Sequence, residues 1–513
     1  MMNHIVIAPV LLPLLVGTLL LLIRQQNLPF QRILSIASVA AQVVLAAVLL
    51  RTVSSEEILV YAVGNWPAPF GIILVADRLA AWMLMISALL AFCTLIYAVR
   101  KSDRIGQHFH VLFQLQLLGL NGAFLTGDLF NLFVFFEILL LASYSLLLHG
   151  GGRLRTKAGL HFVVINLVGS TLFLFAIGIL YGTLGTLNMA DLAVKVAASP
   201  NENVFLVRVA GFLLFGVFAL KAALLPIYTW LPAAYAHTTA AVAALFAIMT
   251  KVGAYCILRV YTLIYGEQAG PAANLIEGWL LPLALATLIV GMIGVIASTR
   301  LRQQAAYLVV ASIGSMLIAF GLNTNAGIVA GLYYLPHSTF AAAAFFLLAD
   351  IIANRRGKIN DKFDLGPIIA DKRLLGVLFF MTAILIVGLP PFSGFIGKIL
   401  ILQAALTHSI LPWIMSIILL TSLLGLIALA RSGSLLFYRA QSMETVSHTP
   451  DASVTVKSDS VTVELIPVIS LLLLCIALVI YAGPVTEFSL TIADQILQPA
   501  VYIRAVLGDG GIT

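Results

Sequence analysis

Charge is scarce in this chain. Only 10% of its 513 residues are Asp, Glu, Lys or Arg, while 61% are hydrophobic; a soluble domain carries about 25% charged residues. That shortage excludes a soluble enzyme. The formal charge of +7 does not indicate a nucleic-acid binder, because the basic residues stand in short connections between apolar runs, where they report orientation in a membrane. Cysteine is nearly absent too. Cys93, Cys256 and Cys475 fall in apolar segments without CxxC or paired spacing, which excludes a disulfide framework or a thiolate metal centre. Missing as well are a GxxxxGKS/T loop, a Rossmann glycine fingerprint, an HExxH motif and any Cys/His cluster, and Gly150–Gly152 belong to a basic loop, not a phosphate cradle. No cofactor or metal is expected, so energy must come from an ion gradient or from another subunit. The first residues, MMNHIVIAPVLLPLLVGTLLLLIRQQ, lack a basic leader region and an A-x-A-like site, and read as a first span rather than a cleaved signal.

What is present is a series of long apolar runs. A bilayer core about 30 Å thick needs roughly 20 apolar residues per helix. Fourteen runs qualify, near residues 5–23, 33–50, 72–98, 109–126, 129–148, 161–181, 205–226, 238–265, 276–298, 304–322, 327–352, 374–408, 412–437 and 464–482. The pair at 109–148 is divided only by TGDLFN. The run at 374–408 is too long for one straight helix and contains GLPPFSG; it is taken as one span made of two half-helices. With fourteen spans, nineteen Lys and Arg residues fall in odd-numbered connections and six on the opposite side, three lysines being buried. The positive-inside rule then puts both termini outside the cytoplasm, and the polar insert at 438–463 becomes a cytoplasmic linker. The expected fold is an all-α polytopic membrane protein.

Proline inside a span frees backbone groups, which lipid tolerates only where protein or water covers them. Pro226 and Pro232 follow Lys221 in the seventh span, Pro390, Pro391 and Gly394 precede Lys398 in the twelfth, and Pro336 stands in the eleventh. The two strong breaks are five spans apart. Units of five spans enter the membrane from opposite faces, so spans 4–8 and 9–13 read as two inverted repeats, a pattern that places a transport site near the midplane. The chain accordingly divides into helices 1–3 (1–108), a first repeat (109–265), a second repeat (276–437), the linker, and a last helix with a C-terminal tail (464–513).

Ionisable residues inside these runs are the candidate functional groups, because each costs at least about 2.5–3.5 kcal/mol at a bilayer centre. Glu137 in LFNLFVFFEILLLASY is either a static salt bridge to Lys221 or a carboxylate that tunes that lysine's protonation. Lys221 and Lys398, beside breaks in comparable places of the two repeats, are the leading proton carriers, since a buried lysine can lose and regain a proton and an arginine cannot. Lys251, in the next span, is placed to relay between the halves. His337 in GLYYLPHSTFAAAAFFLLAD is either a shuttle or a hydrogen-bonded core residue. His237, at the seventh-to-eighth junction near the outer face, lines an access route or caps a helix end. Asp350, beside Asn354 and Arg355, reads better as a helix-end ion pair.

The runs LKAALLPIYTWLPAAYAHTTAAVAALFAIMTKVGAY and VGLPPFSGFIGKI resemble the proton-translocating family of antiporter-like membrane subunits, found in respiratory complex I, related hydrogenases and Mrp-type cation/proton antiporters. YYLPHSTFAAAAFFLLADII followed by DKFDLGPI is most similar to the D-type branch of the Mrp (Mnh, Pha) antiporter subunits. The resemblance implies fourteen helices, inverted five-helix repeats and broken seventh and twelfth helices. It matches Glu137 and Lys221 to the family's glutamate–lysine pair, Lys251 to its central lysine and Lys398 to its distal residue. It also implies a bacterial cell-membrane complex with A-type and small C-type partner subunits, exchanging sodium or potassium for protons. The alternatives are a pump subunit of complex I or a membrane hydrogenase, and a non-transporting scaffold. One departure stands out: many relatives carry a lysine four or five residues after the eleventh-span histidine, where this chain has Ala341 and Ala342.

Overall fold

A hydrocarbon core offers backbone groups no water, so an apolar chain of this kind must satisfy them internally, and helices do so within one segment. The computed structural model of the protein describes residues 2–23, 27–55, 58–364, 366, 369, 371–438 and 461–508. Its first third holds α1 (Ala8–Leu22), α2 (Leu28–Ser55), a hairpin of β1 (Leu59–Ala62) and β2 (Ile73–Ala76), α3 (Arg78–Ala98), α4 (Phe109–Leu125), α5 (Leu129–Leu148) and α6 (Arg153–Leu184). There follow α7 (Met189–Ala197), α8 (Asn201–Ala222), α9 (Trp230–His237), α10 (Ala240–Phe246), α11 (Met249–Leu263), α12 (Glu277–Ala297) and α13 (Leu301–Gly321). The remainder is α14 (Asn325–Arg355), α15 (Lys372–Val387), α16 (Ser393–Ala404), α17 (Leu411–Gly433), α18 (Val461–Ile480), α19 (Ala482–Ile496) and α20 (Pro499–Leu507).

Among the described residues, eleven helical segments are long and apolar enough to cross a membrane, and α1, α4 and α16 are shorter apolar helices. Every apolar run of the sequence holds one of these. The division at TGDLFN is real: α4 stops at Leu125, and the Asp128 side chain accepts from the Asn131 amide at 2.9 Å to start α5. The polar insert expected at 438–463 lies, from 439 to 460, outside the described residues.

Three expectations need correction. The run at 72–98 does not begin as helix: Ile73–Ala76 pair antiparallel with Leu59–Ala62, and α3 starts only after Asp77, whose side chain caps it through the Ala80 amide. Short apolar runs rich in β-branched residues fit strand and helix alike, so the pattern could not separate them. The segment after the last span is helical (α19 and α20), not merely a tail. Nor do all the prolines break helices. Pro336 lies inside an uninterrupted α14, and the Leu332 carbonyl four residues back, which proline cannot satisfy, receives the Trp82 indole at 3.4 Å. Pro232 is the third residue of α9, where a missing N–H costs nothing.

Close helix contacts are made by glycine. On α4, Gly119 and Gly122 lie against Leu139 and Phe135 of α5; a Cβ at Gly122 would fall 2.1 Å from the Phe135 ring. The same arrangement recurs on α12, where Gly291 and Gly294 lie against Ala311 and Tyr307 of α13, again with 2.1 Å to the ring. Such small-residue seams let apolar helices approach where the hydrophobic effect offers no driving force. The long α14 runs through the centre of the bundle, packed by α10, α13, α15, α16 and α18, and all of it between Gly327 and Ala349 is buried.

Candidate functional site

Three helix interruptions converge on the bundle interior, each beside one of the buried lysines. The first separates α8 from α9. Ala223 takes a left-handed conformation (φ 58°), and Pro226 follows. The backbone groups freed there are covered by side chains: the Trp230 indole donates to the Leu220 carbonyl at 3.0 Å, and Thr287 Oγ1 accepts from the Leu225 amide at 2.9 Å. The second separates α10 from α11 at Ala247–Ile248, and the Tyr235 hydroxyl donates to the Phe246 carbonyl at 2.7 Å. Sequence reading missed this break, which has no proline or glycine to announce it. The third, with Pro390 and Pro391, separates α15 from α16 after Gly388 (φ 82°).

Lys221 occupies the last turn of α8. Gly253 of α11 presses against the backbone there; a Cβ on it would lie 2.3 Å from the Ala222 nitrogen and 2.8 Å from the Lys221 carbonyl carbon. The ammonium donates to Asn166 Oδ1 at 2.9 Å and lies 5.7 Å from the centre of the Phe136 ring. Of the two readings of Glu137, the static salt bridge is not formed: no ion pair within 4 Å joins it to Lys221. Instead both dock on α6, Glu137 accepting a short hydrogen bond from Ser170. Asn166 and Ser170 are four residues apart and so share one face of α6. Asn166 is fixed by its own donation to the Phe162 carbonyl at 2.8 Å. These two residues were missed in the sequence, though a polar pair at helical spacing in the apolar run INLVGSTLF was the available signal.

Lys251 is fully buried, and among the described residues no protein group is hydrogen-bonded to its ammonium. It is near His337 of α14, which is within electrostatic reach of both Lys251 and Lys398. His337 Nδ1 meets Ser393 Oγ, the first residue of α16, at 2.9 Å. Gly394 is the close approach that permits this contact, since a Cβ there would sit 2.9 Å from the imidazole. Gly394 thus belongs to the start of α16 and not to the break itself. Lys398 donates to Ser422 Oγ at 2.7 Å and to the Val387 carbonyl at 2.6 Å, across the break. Lys221 precedes its break and Lys398 follows its own, so their positions along the chain are not equivalent.

Small cavities accompany these groups. One of about 10 Å³ touches Lys221 and Asn166, and one of about 30 Å³ touches Lys398, Ser422 and Ser315. A third, of about 20 Å³, is lined by His337, Ser312, Ala341 and Ala342. A polar site needs about 10–15 Å³ to hold one water. Ala341 and Ala342 therefore border room for water beside the histidine.

His237 and Asp350 stand apart from this interior line. His237, expected near the outer face, lies with Arg155, Arg300 and Arg302, at the end of the bundle that carries the basic connections; its carbonyl accepts from Arg155 at 3.0 Å. Asp350 forms its ion pair with Arg302 of α13 at 2.6 Å, rather than with Arg355, and accepts from Tyr97 at 2.8 Å. Sequence reading also passed over Arg259, which forms a two-pronged buried pair with Asp77 at 2.6 and 2.7 Å between the rings of Tyr255 and Tyr502. That pair joins α11 to the turn between β2 and α3 and, through the Tyr502 ring, to α20.

Residues 126–425 match the family model described as NADH:quinone oxidoreductase/Mrp antiporter, TM. The chain is 38% identical to the D-type subunit of a probable K(+)/H(+) antiporter of Rhizobium meliloti, over 99% of this chain and 98% of that protein. It is 37% identical to the D-type subunit of the Na(+)/H(+) antiporter of Alkalihalophilus pseudofirmus, over 99% and 100%. Among solved structures, a chain of the Mrp complex from a Dietzia species superposes with a TM-score of 0.86 at 27% identity, covering 99% of each chain.

Proposed function

Because the chain belongs to the NADH:quinone oxidoreductase/Mrp antiporter membrane family, we propose that it is the D-type subunit of a multisubunit antiporter exchanging protons for sodium or potassium across a bacterial cell membrane. It is a transporter subunit and works among other membrane subunits, as its relatives' names imply. Within it, protons pass along Glu137, Lys221, Lys251, His337 and Lys398. Lys251 carries this reading. Among the described residues no protein group is hydrogen-bonded to its buried ammonium, so it ties no two helices together as a staple would, and it stands in a line of buried groups that can take up and release protons. The side chains of α6 and the water-sized cavities supply the intervening hydrogen bonds. Glu137 and Lys221, docked separately on Ser170 and Asn166, influence each other's charge through space without locking each other in place.

The function is tested in everted vesicles carrying the assembled complex, by cation-driven proton release. Glu137→Gln keeps the shape and the Ser170 contact but removes the charge. Exchange is expected to fall and its pH dependence to change, with normal amounts of this protein on a blot. An unchanged rate and pH profile at normal abundance would count against the proton path.

The recurrence of the glycine seams of α4–α5 and α12–α13 supports two five-helix units at 109–265 and 276–437. With an inverted pair and the asymmetry of basic connections, we place both termini outside the cytoplasm. A cysteine at Lys358, an exposed residue in a basic connection, should react with an impermeant thiol reagent only after the membrane is opened. The native cysteines are buried and give little background. Labelling in intact cells would reverse the orientation.

A further inference from the structure

At the end of the bundle where α6 and α13 begin lies a basin of about 670 Å³, far larger than the interior cavities. Arg153, Arg155, Arg300, Arg302 and His237 line it, with Asp361 the one carboxylate. Most of these groups are already used. Arg302 turns to Asp350, Arg155 holds the carbonyls of His149 and His237, and the Asp361 carboxylate accepts the Arg302 amide at 3.2 Å. Arg153 and Arg300 are left over. Among the described residues their side chains have no hydrogen bond or ion pair, yet both face the same cavity. Like charges around one cavity repel, and a guanidinium presents a planar fork that matches a phosphate's oxygens.

The position of the basin indicates which phosphate. Arg153 is the first residue of α6 and Arg300 the residue before α13, so both guanidinium groups sit where membrane-crossing helices meet the headgroup layer. Below them the outward faces are apolar and exposed: Leu160 (65%) and Val164 (51%) on α6, and Ile293 (57%) and Ile296 (42%) on α12. We propose that this basin binds the phosphate headgroup of an anionic phospholipid, gripped by Arg153 and Arg300, with its acyl chains lying along α6 and α12. The basin reaches Thr229, Pro232 and Ala233 beside the first helix interruption. A bare water-filled funnel for cations is a poorer account, because a ring of guanidinium groups repels them.

Binding is measured on the purified, assembled complex, independently of transport, so it stands or falls apart from the proton path. The complex is delipidated in mild detergent and titrated with a fluorescent anionic phospholipid. Arg153→Gln combined with Arg300→Gln should weaken binding about tenfold or more. Lys358→Gln, a basic residue on the same face outside the basin, should leave it unchanged. Inorganic phosphate should displace the lipid only weakly, because it lacks chains to lie on the helices. Unchanged binding in the double variant would overturn the site, as would an equal loss with Lys358→Gln, which would mean unspecific charge attraction. Full displacement by inorganic phosphate would overturn the lipid and leave a free-anion site. Should the double variant assemble poorly, Arg153→Gln alone, at an exposed residue, carries the same comparison.

Discussion

Replacing Lys221 by alanine is expected to lower cation/proton exchange by about 100-fold or more, the loss typical of removing a positioned proton-transfer group, while the protein stays in the complex at near-normal levels. The fold loses little. Lys221 makes one side-chain hydrogen bond, to Asn166, and one ring contact, to Phe136. Leaving the Asn166 oxygen unmet costs about 1–3 kcal/mol, spread over a bundle stabilised by hundreds of buried contacts. Lys221→Arg is the sharper variant. It keeps the positive charge, but guanidinium does not release its proton under physiological conditions. It must also fit a larger head where Gly253 already touches the backbone. Exchange should fail in both variants, measured in everted vesicles beside blot quantification. Retained exchange in a normally assembled arginine variant would remove Lys221 from the proton carriers.

Lys251→Met is expected to separate function from stability in the opposite sense to a structural lysine. Lys251 is completely buried and, among the described residues, bonded to no protein group, so methionine breaks no bond to a described side chain or carbonyl. Methionine is similar in length and apolar, so the substitution removes a desolvation cost. Replacing buried charges by well-packed apolar groups is often neutral or stabilising by about 1–4 kcal/mol. The complex should therefore melt at the same temperature or higher, followed by thermal shift, while exchange drops to background. Lower stability with exchange intact would make Lys251 a structural residue.

Much of this was legible before the fold was seen. Apolar runs set by bilayer thickness located the helices, and the scarcity of charge inside them drew attention to Glu137, Lys221, Lys251, His337 and Lys398. What was not legible depended on partners distant in sequence. Glu137 and Lys221 look like an ion pair because opposite charges attract and both are buried; only the fold shows Asn166 and Ser170 standing on α6 between them. The break before Lys251 has no proline or glycine and becomes visible only through the Tyr235 hydroxyl on the Phe246 carbonyl. Pro336 misled for the opposite reason, since Trp82, far away along the chain, supplies the donor that the proline withholds. Which end of the bundle His237 occupies was equally hidden, because its neighbours Arg155, Arg300 and Arg302 come from connections distant in sequence.

At two of the three interruptions the loose backbone ends are tied by indole, phenol and threonine hydroxyl groups that stay uncharged. At the third, the Val387 carbonyl, at the partially negative end of α15, is tied by the Lys398 side-chain nitrogen at 2.6 Å. With Lys398 as the proton carrier proposed above, loss of its charge would weaken this charge-assisted bond and loosen the joint between α15 and α16, whereas the uncharged ties of the other two joints would not respond.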